Sequence, residues 1–197
     1  MPISVNGSGT VTGISVGGLP DGIVDTDMLA NSAVTAPKRG ASAILQIVQN
    51  TTTTRLATNS TTYVASDHLV TITPIKANSK ILLNFSGCVN SNGPNHRAFV
   101  DIYRSINGGT FTGIAPVGSN QTVGANNNEG FVGAVRADNS RVQCPTNIVY
   151  LDSPSYSLGN AIVYKVYARS TNSGQTIELP ATIESDPLIN MSMEISS

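Results

Sequence analysis

From Ala43 onward every apolar run is short, alternates with polar residues and stops at Gly, Asn, Ser or Pro. Such a chain buries an apolar face most readily as strands. Ala43–Gln49 reads as the first strand, and Leu69–Thr73 alternates until Pro74 closes it. Lys80–Cys88 sets Ile81, Leu83 and Phe85 against Asn84 and Ser86, the pattern of a half-buried strand. Ala98–Arg104 leads to Asn107-Gly108-Gly109 and returns as Thr110–Ile114, the strongest hairpin signal in the chain. Phe131–Arg136, Asn147–Leu151, Ala161–Arg169 and Met191–Ile195 bring the count to about nine strands, with Thr176–Leu179 a further one and Thr51–Thr62 a loop or edge strand. The expected fold class is all-β, an antiparallel β-sandwich of jelly-roll-like type over residues 43–197.

Residues 1–42 follow another rule. Gly7, Gly9, Gly13, Gly17, Gly18 and Gly22 are interleaved with Val5, Val11, Ile14, Val16 and Leu19, so the segment is extended and poor in bulk. Fixing each backbone residue costs about 1–2 kcal/mol, which so little apolar area does not offset. Glycines at this density let another backbone approach, and a β-branched strand with open edges pairs with a neighbour. The segment is expected to be an arm that orders on a partner, with Gly9, Gly13, Gly17, Gly18, Leu19 and Pro20 as its anchoring residues. Asp25 or Thr26 caps one short helix over residues 27–30, which Val34, Thr35 and Pro37 stop from continuing.

Charged residues make up only 12% of the chain, whereas soluble domains carry roughly 25%. Asn, Ser and Thr together supply 61 of the 197 residues and keep the surface wet without ionising. A net charge of −1 and no basic block longer than Lys38-Arg39 argue against nucleic acid as partner. No apolar run approaches the about 20 residues of a membrane span, and Met1–Gly7 lacks the layout of an export signal. Synthesis in a cytoplasm, with no membrane insertion, is the expectation. Cys88 and Cys144 lie in strand-like contexts and read as buried small hydrophobes rather than as a disulfide.

The residues offer little chemistry. His68 and His96 have no second ligand at metal spacing and read as plain surface or loop histidines. No Gly-x-Ser-x-Gly elbow or phosphate loop is present. Asp101, Glu129, Asp138, Asp152, Glu178, Glu184 and Asp186 lie apart and read as solvated acids. With no Trp and 5% aromatics, a flat sugar-stacking platform is poorly provided for, and Tyr63, Tyr150 and Tyr156 read as rim or core residues. Asn126, Asn127, Asn128 and Glu129 form a polar loop tip, the candidate recognition loop. The expectation is a non-enzyme with no catalytic residue, cofactor or metal.

The stretch Gly9–Gly22, followed by Leu29-Ala30-Asn31-Ser32-Ala33-Val34-Thr35, resembles the glycine-rich stretches and Leu-Ala-x-x-Ala-Val-Thr units of bacteriophage tail-fibre and related virion-fibre proteins, especially those of marine phages. The Ser79–Leu82 strand, and Tyr103-Arg104 ahead of a glycine turn, resemble the jelly-roll-like knobs of the same proteins. The resemblance implies a homotrimer located in the virion, its arm bound to other virion proteins and its knob facing host surface glycans. One Leu-Ala unit stands where fibres usually carry several, which leaves room for a short fibre, a tail appendage or a capsid decoration (cement) protein. A free-standing trimeric jelly-roll binding module is the further alternative.

Overall fold

In the computed structural model the described residues are 4–5, 11–12, 33–35, 38–91, 97–115, 132–133, 142–180 and 188–197. The chain divides into two units, Met1–Lys38 and Arg39–Ser197. In the first, β1 (Ser4–Val5) pairs antiparallel with β2 (Val11–Thr12). The anchoring residues Gly9, Gly13, Gly17, Gly18, Leu19 and Pro20 and the short helix over 27–30 lie outside the described residues.

The second unit is an all-β body of two antiparallel sheets. Its strands are β3 (Ile44–Thr52), β4 (Leu56–Thr58), β5 (Val64–Ile72), β6 (Lys80–Ser91), β7 (Ala98–Ile106), β8 (Thr112–Gly113), β9 (Val132–Gly133), β10 (Val142–Asp152), β11 (Ile162–Ser170), β12 (Ile177–Leu179) and β13 (Leu188–Ile195). In the first sheet β13 lies between β3 and β6, and β10 runs along the other side of β6. Beyond the end of β13, β12 pairs with β6 and carries β4. In the second sheet β11 lies between β5 and β7, and the far side of β7 takes both β8 and β9.

The inner faces meet in one buried cluster. Ile81, Leu83, Phe85, Val89, Ile148 and Leu188 come from the first sheet, and Val70, Ile72, Val100, Ile102, Ile162, Tyr164, Val166 and Ala168 from the second. The alternation expected for Lys80–Phe85 holds, since Ile81, Leu83 and Phe85 are buried while Leu82 and Asn84 are half-buried. The hairpin after β7 turns at Asn107 and Gly108, both with positive φ, and the Gly109 N–H donates to the Ile106 carbonyl at 3.0 Å. A turn with two consecutive positive φ values matches the twist of its strands, which is why an Asn-Gly step marks it.

Polar groups tie the sheets across the core. Arg104 of β7 donates from one guanidinium nitrogen to both Asp152 oxygens at 2.6 and 2.8 Å, and the Tyr164 hydroxyl donates to the same carboxylate at 2.8 Å. Burial, with the Asp152 charge beside it, pushes the Tyr164 phenol well up, so it remains a donor. Glu194 of β13 accepts from the Ile75 and Lys76 backbone N–H groups and from Gln46 Nε2, which holds the turn after β5 against the last strand. Tyr156 reaches the same turn, its hydroxyl donating to the Lys76 carbonyl at 2.7 Å and accepting from the Ser79 N–H.

The cysteines are unpaired, as expected, but less buried than expected. Both are half-buried and no disulfide joins them. Cys144 stands opposite the core residue Val89, while Cys88 stands opposite Pro145 one step along, so alternation sends the two thiols to opposite faces of one sheet.

Gly87 is a glycine for a packing reason. A Cβ there would overlap the side chain of the buried Leu188. Gly87→Ala is expected to lower the urea midpoint by an amount equivalent to about 1–3 kcal/mol, the usual cost of overpacking. An unchanged midpoint in urea unfolding followed by far-UV circular dichroism would show that Leu188 has room to move.

Candidate functional site

Alternation along β11 turns Tyr164, Val166 and Ala168 inward and leaves Lys165, Tyr167 and Arg169 on the outer face of the second sheet. The β7–β11 register sets Phe99 opposite Arg169, Asp101 opposite Tyr167 and Tyr103 opposite Lys165, so all six side chains share that face. Tyr103 and Tyr167 stack with centroids 4.0 Å apart and planes at 25°. Tyr63 extends the row beyond Tyr103 at 5.8 Å, and Phe111 beyond Tyr167 at 6.0 Å. The Arg169 guanidinium lies 4.4 Å from the Phe99 ring centre and 5.4 Å from that of Tyr63, both within cation–π range.

Asp101 sits buried within this patch, its Oδ1 accepting the Ile102 N–H at 2.7 Å. Gly113 of β8 borders it, and a Cβ there would stand 3.1 Å from Asp101 Oδ2 and against the Tyr103 ring. Loss of water around the carboxyl raises its pKa to about 6, the Ile102 hydrogen bond opposing the rise. Burial, reinforced by the Asp101 charge, pushes the Tyr63 phenol up to about 12. The outer face therefore combines the half-buried rings of Tyr63, Tyr103, Phe111 and Tyr167 with a guanidinium, over a buried Phe99 and a buried carboxyl that changes charge near pH 6. Stacking and hydrogen bonding are what it offers a ligand.

Several sequence readings are corrected. Strand register gathers Tyr63, Tyr103, Phe111 and Tyr167 from separate segments into one aromatic cluster, its rings stacked on or tilted against one another rather than laid out as a flat platform. Tyr150 and Tyr156 pack against the core, in line with the rim-or-core reading. Asp101, Asp152 and Glu178 are buried rather than solvated, and so is Glu194, which alternation within a polar-looking strand conceals. Glu178 accepts from Asn90 Nδ2 at 2.7 Å and pairs with Arg55 at 3.4 Å. His68 is not a surface histidine. It is buried on β5, with Nδ1 2.6 Å from Asn190 Oδ1 on the opposite sheet. Because that oxygen only accepts, Nδ1 carries the proton. Nε2 is left without a hydrogen-bond partner among the described residues, beside a small cavity lined by Phe85, Val100, Ile148, Val166 and Leu188. Burial lowers the His68 pKa to about 4 against the pull of Asn190. His96 and the candidate loop Asn126, Asn127, Asn128 and Glu129 lie outside the described residues.

Among the described residues no three His, Cys, Asp or Glu side chains come together as a metal-holding group, and no helix is long and apolar enough to cross a membrane. No family model, curated protein or solved structure matches the chain.

Asp101 and His68 impose opposite pH slopes. The native state holds the Asp101 proton that the unfolded chain releases above about pH 4, so Asp101 removes stability as pH rises from about 4 to 6. The unfolded chain binds the His68 proton that the native state refuses, so His68 removes stability as pH falls from about 6.5 to 4. Relative to wild type, Asp101→Asn is expected to add a slope of up to about 1.4 kcal/mol per pH unit with stability rising with pH in this window. His68→Gln adds one of opposite sign. Urea unfolding between pH 4 and 7 measures both, and parallel profiles for all three proteins would contradict the assignment.

Proposed function

We propose that the chain is a non-enzymatic structural protein of a bacteriophage virion. In this reading it is a homotrimeric short fibre or tail fibre, anchored by its N-terminal arm and presenting the β body as a host-contact knob. The observation that carries the reading is the strand order. In the first sheet the first strand of the body, β3, lies beside the last, β13, followed by β6 and β10. In the second sheet β5, β11 and β7 are followed by β8 and β9 on one edge. Two facing sheets whose strands interleave in this order support a jelly-roll-like reading, an architecture used by viral capsid and lectin domains. This supports the knob that the resemblance of Ser79–Leu82 and Tyr103-Arg104 implies.

The aromatic patch supports the host-contact half of the reading. A pyranose packs its C–H groups against half-exposed rings such as Tyr63 and Phe111, and its hydroxyls accept from a guanidinium such as Arg169. Low charge over the chain suits contact with neutral polysaccharide and with further copies of itself.

Antibody raised against residues 43–197 is expected to label the tail of intact particles of the phage that encodes the chain. Labelling spread over the head would favour the capsid-decoration alternative. Absence of the chain from purified particles would overturn the virion assignment.

A further inference from the structure

The last strand is patterned against its own sandwich. Along Leu188–Ile195, Asn190, Ser192 and Glu194 are buried between the sheets, while Ile189, Met191, Met193 and Ile195 point to the outer face of the first sheet. The neighbouring strands continue that apolar face. Met193 stands opposite Ile47 of β3 on one side and Leu82 of β6 on the other, and Leu82 stands opposite Leu151 of β10. The next outward row carries Met191 and Val149 on either side of Asn84. Val149 is 60% exposed, Ile47 56%, Ile44 51% and Leu151 46%, the greater part of the large apolar side chains found exposed among the described residues. A domain facing water on both sides would carry the reverse alternation on β13.

We infer that the outer face of β3, β13, β6 and β10 is the surface through which copies of this chain associate, each copy covering the apolar rows of another. Two observations favour a second copy over an unrelated partner. Along these four strands the described outward side chains are apolar or uncharged apart from Lys80 at one end, so the face meets its own kind without like-charge repulsion and carries no charge pattern to select a different protein. The face also spans about four strand spacings of ~4.8 Å by about ten residues of ~3.3 Å, on the order of 600 Å². That is near the roughly 800 Å² per partner of a standard interface. Two adaptable methionines at its centre suit close packing. The inference rests on the self-assembling reading above but goes further by assigning the surface.

The test is the solution mass of the full chain by sedimentation equilibrium at micromolar concentration, for wild type, Ile47→Lys and Leu151→Lys. Wild type is expected at a multiple of the chain mass, and each variant at a single-chain mass with unchanged β-type circular dichroism. A single-chain wild type, or variants that keep the wild-type mass, overturns the surface. A two-chain mass lost on substitution supports the surface and overturns the trimer. A three-chain mass that survives substitution does the opposite. Should the lysine variants fail to fold, a benzophenone side chain at position 149 in the otherwise unaltered chain decides the matter. Covalently joined copies are expected on illumination, whereas cross-links only within one chain, to residues 1–38, assign the face to the chain's own N-terminal unit and overturn the inference.

Discussion

The alternation of β13 constrains the rest of the body. A strand placed between β3 and β6 has two faces, and on this one the groups that need partners point inward. Asn190 meets His68, and Glu194 meets two backbone N–H groups and Gln46, each contact reaching across the core or holding a turn that frames it. Buried polar groups are costly when orphaned and specific when satisfied. A one-residue slip of β13 would bring Met191 and Met193 inside but would strand His68 Nδ1, Ile75 and Lys76 without acceptors.

Arg104, Asp152 and Tyr164 reinforce that choice from the other half of the sandwich. Their strands β7, β10 and β11 belong to two different sheets, so the cluster fixes how the sheets face one another. Removing one member of such a buried pair generally costs about 3–5 kcal/mol, because the remaining charge loses its partner. Registers held in this way leave two outer faces with different chemistry. The second sheet shows rings and Arg169 over the buried Asp101, while the first shows Ile47, Met193, Leu82 and Leu151. One is a cluster of rings beside a guanidinium and the other a set of aliphatic rows.

Much of the fold was legible in the residues. Lys80–Phe85 and Ala98–Arg104 show their alternation openly, and Asn107-Gly108 announces its turn. The start of β5 did not, because Ser66 and His68 point into the core and break the expected apolar rhythm. Met191–Ile195 was recognisable as a strand, yet period-two alternation states which residues share a face and not which face is inside. Only the partners of Asn190 and Glu194, more than a hundred residues away in sequence, decide it. The aromatic patch was hidden for the same reason. Tyr63, Tyr103, Phe111 and Tyr167 come from segments whose pairing no local pattern specifies, and Asp101 is buried by these neighbours rather than by its own strand's core face.

The central claim is that Met191 and Met193 lie outside their own sandwich and inside an assembly. Methyl NMR of the full chain with labelled methionine, in the presence of a dissolved paramagnetic agent and over a dilution series, measures this directly. The account predicts that both methyls are shielded at high concentration and become relaxed by the agent on dilution, in step with loss of the assembled mass. Methyls that stay shielded in the single chain would place them in the core and contradict the alternation on which the account rests.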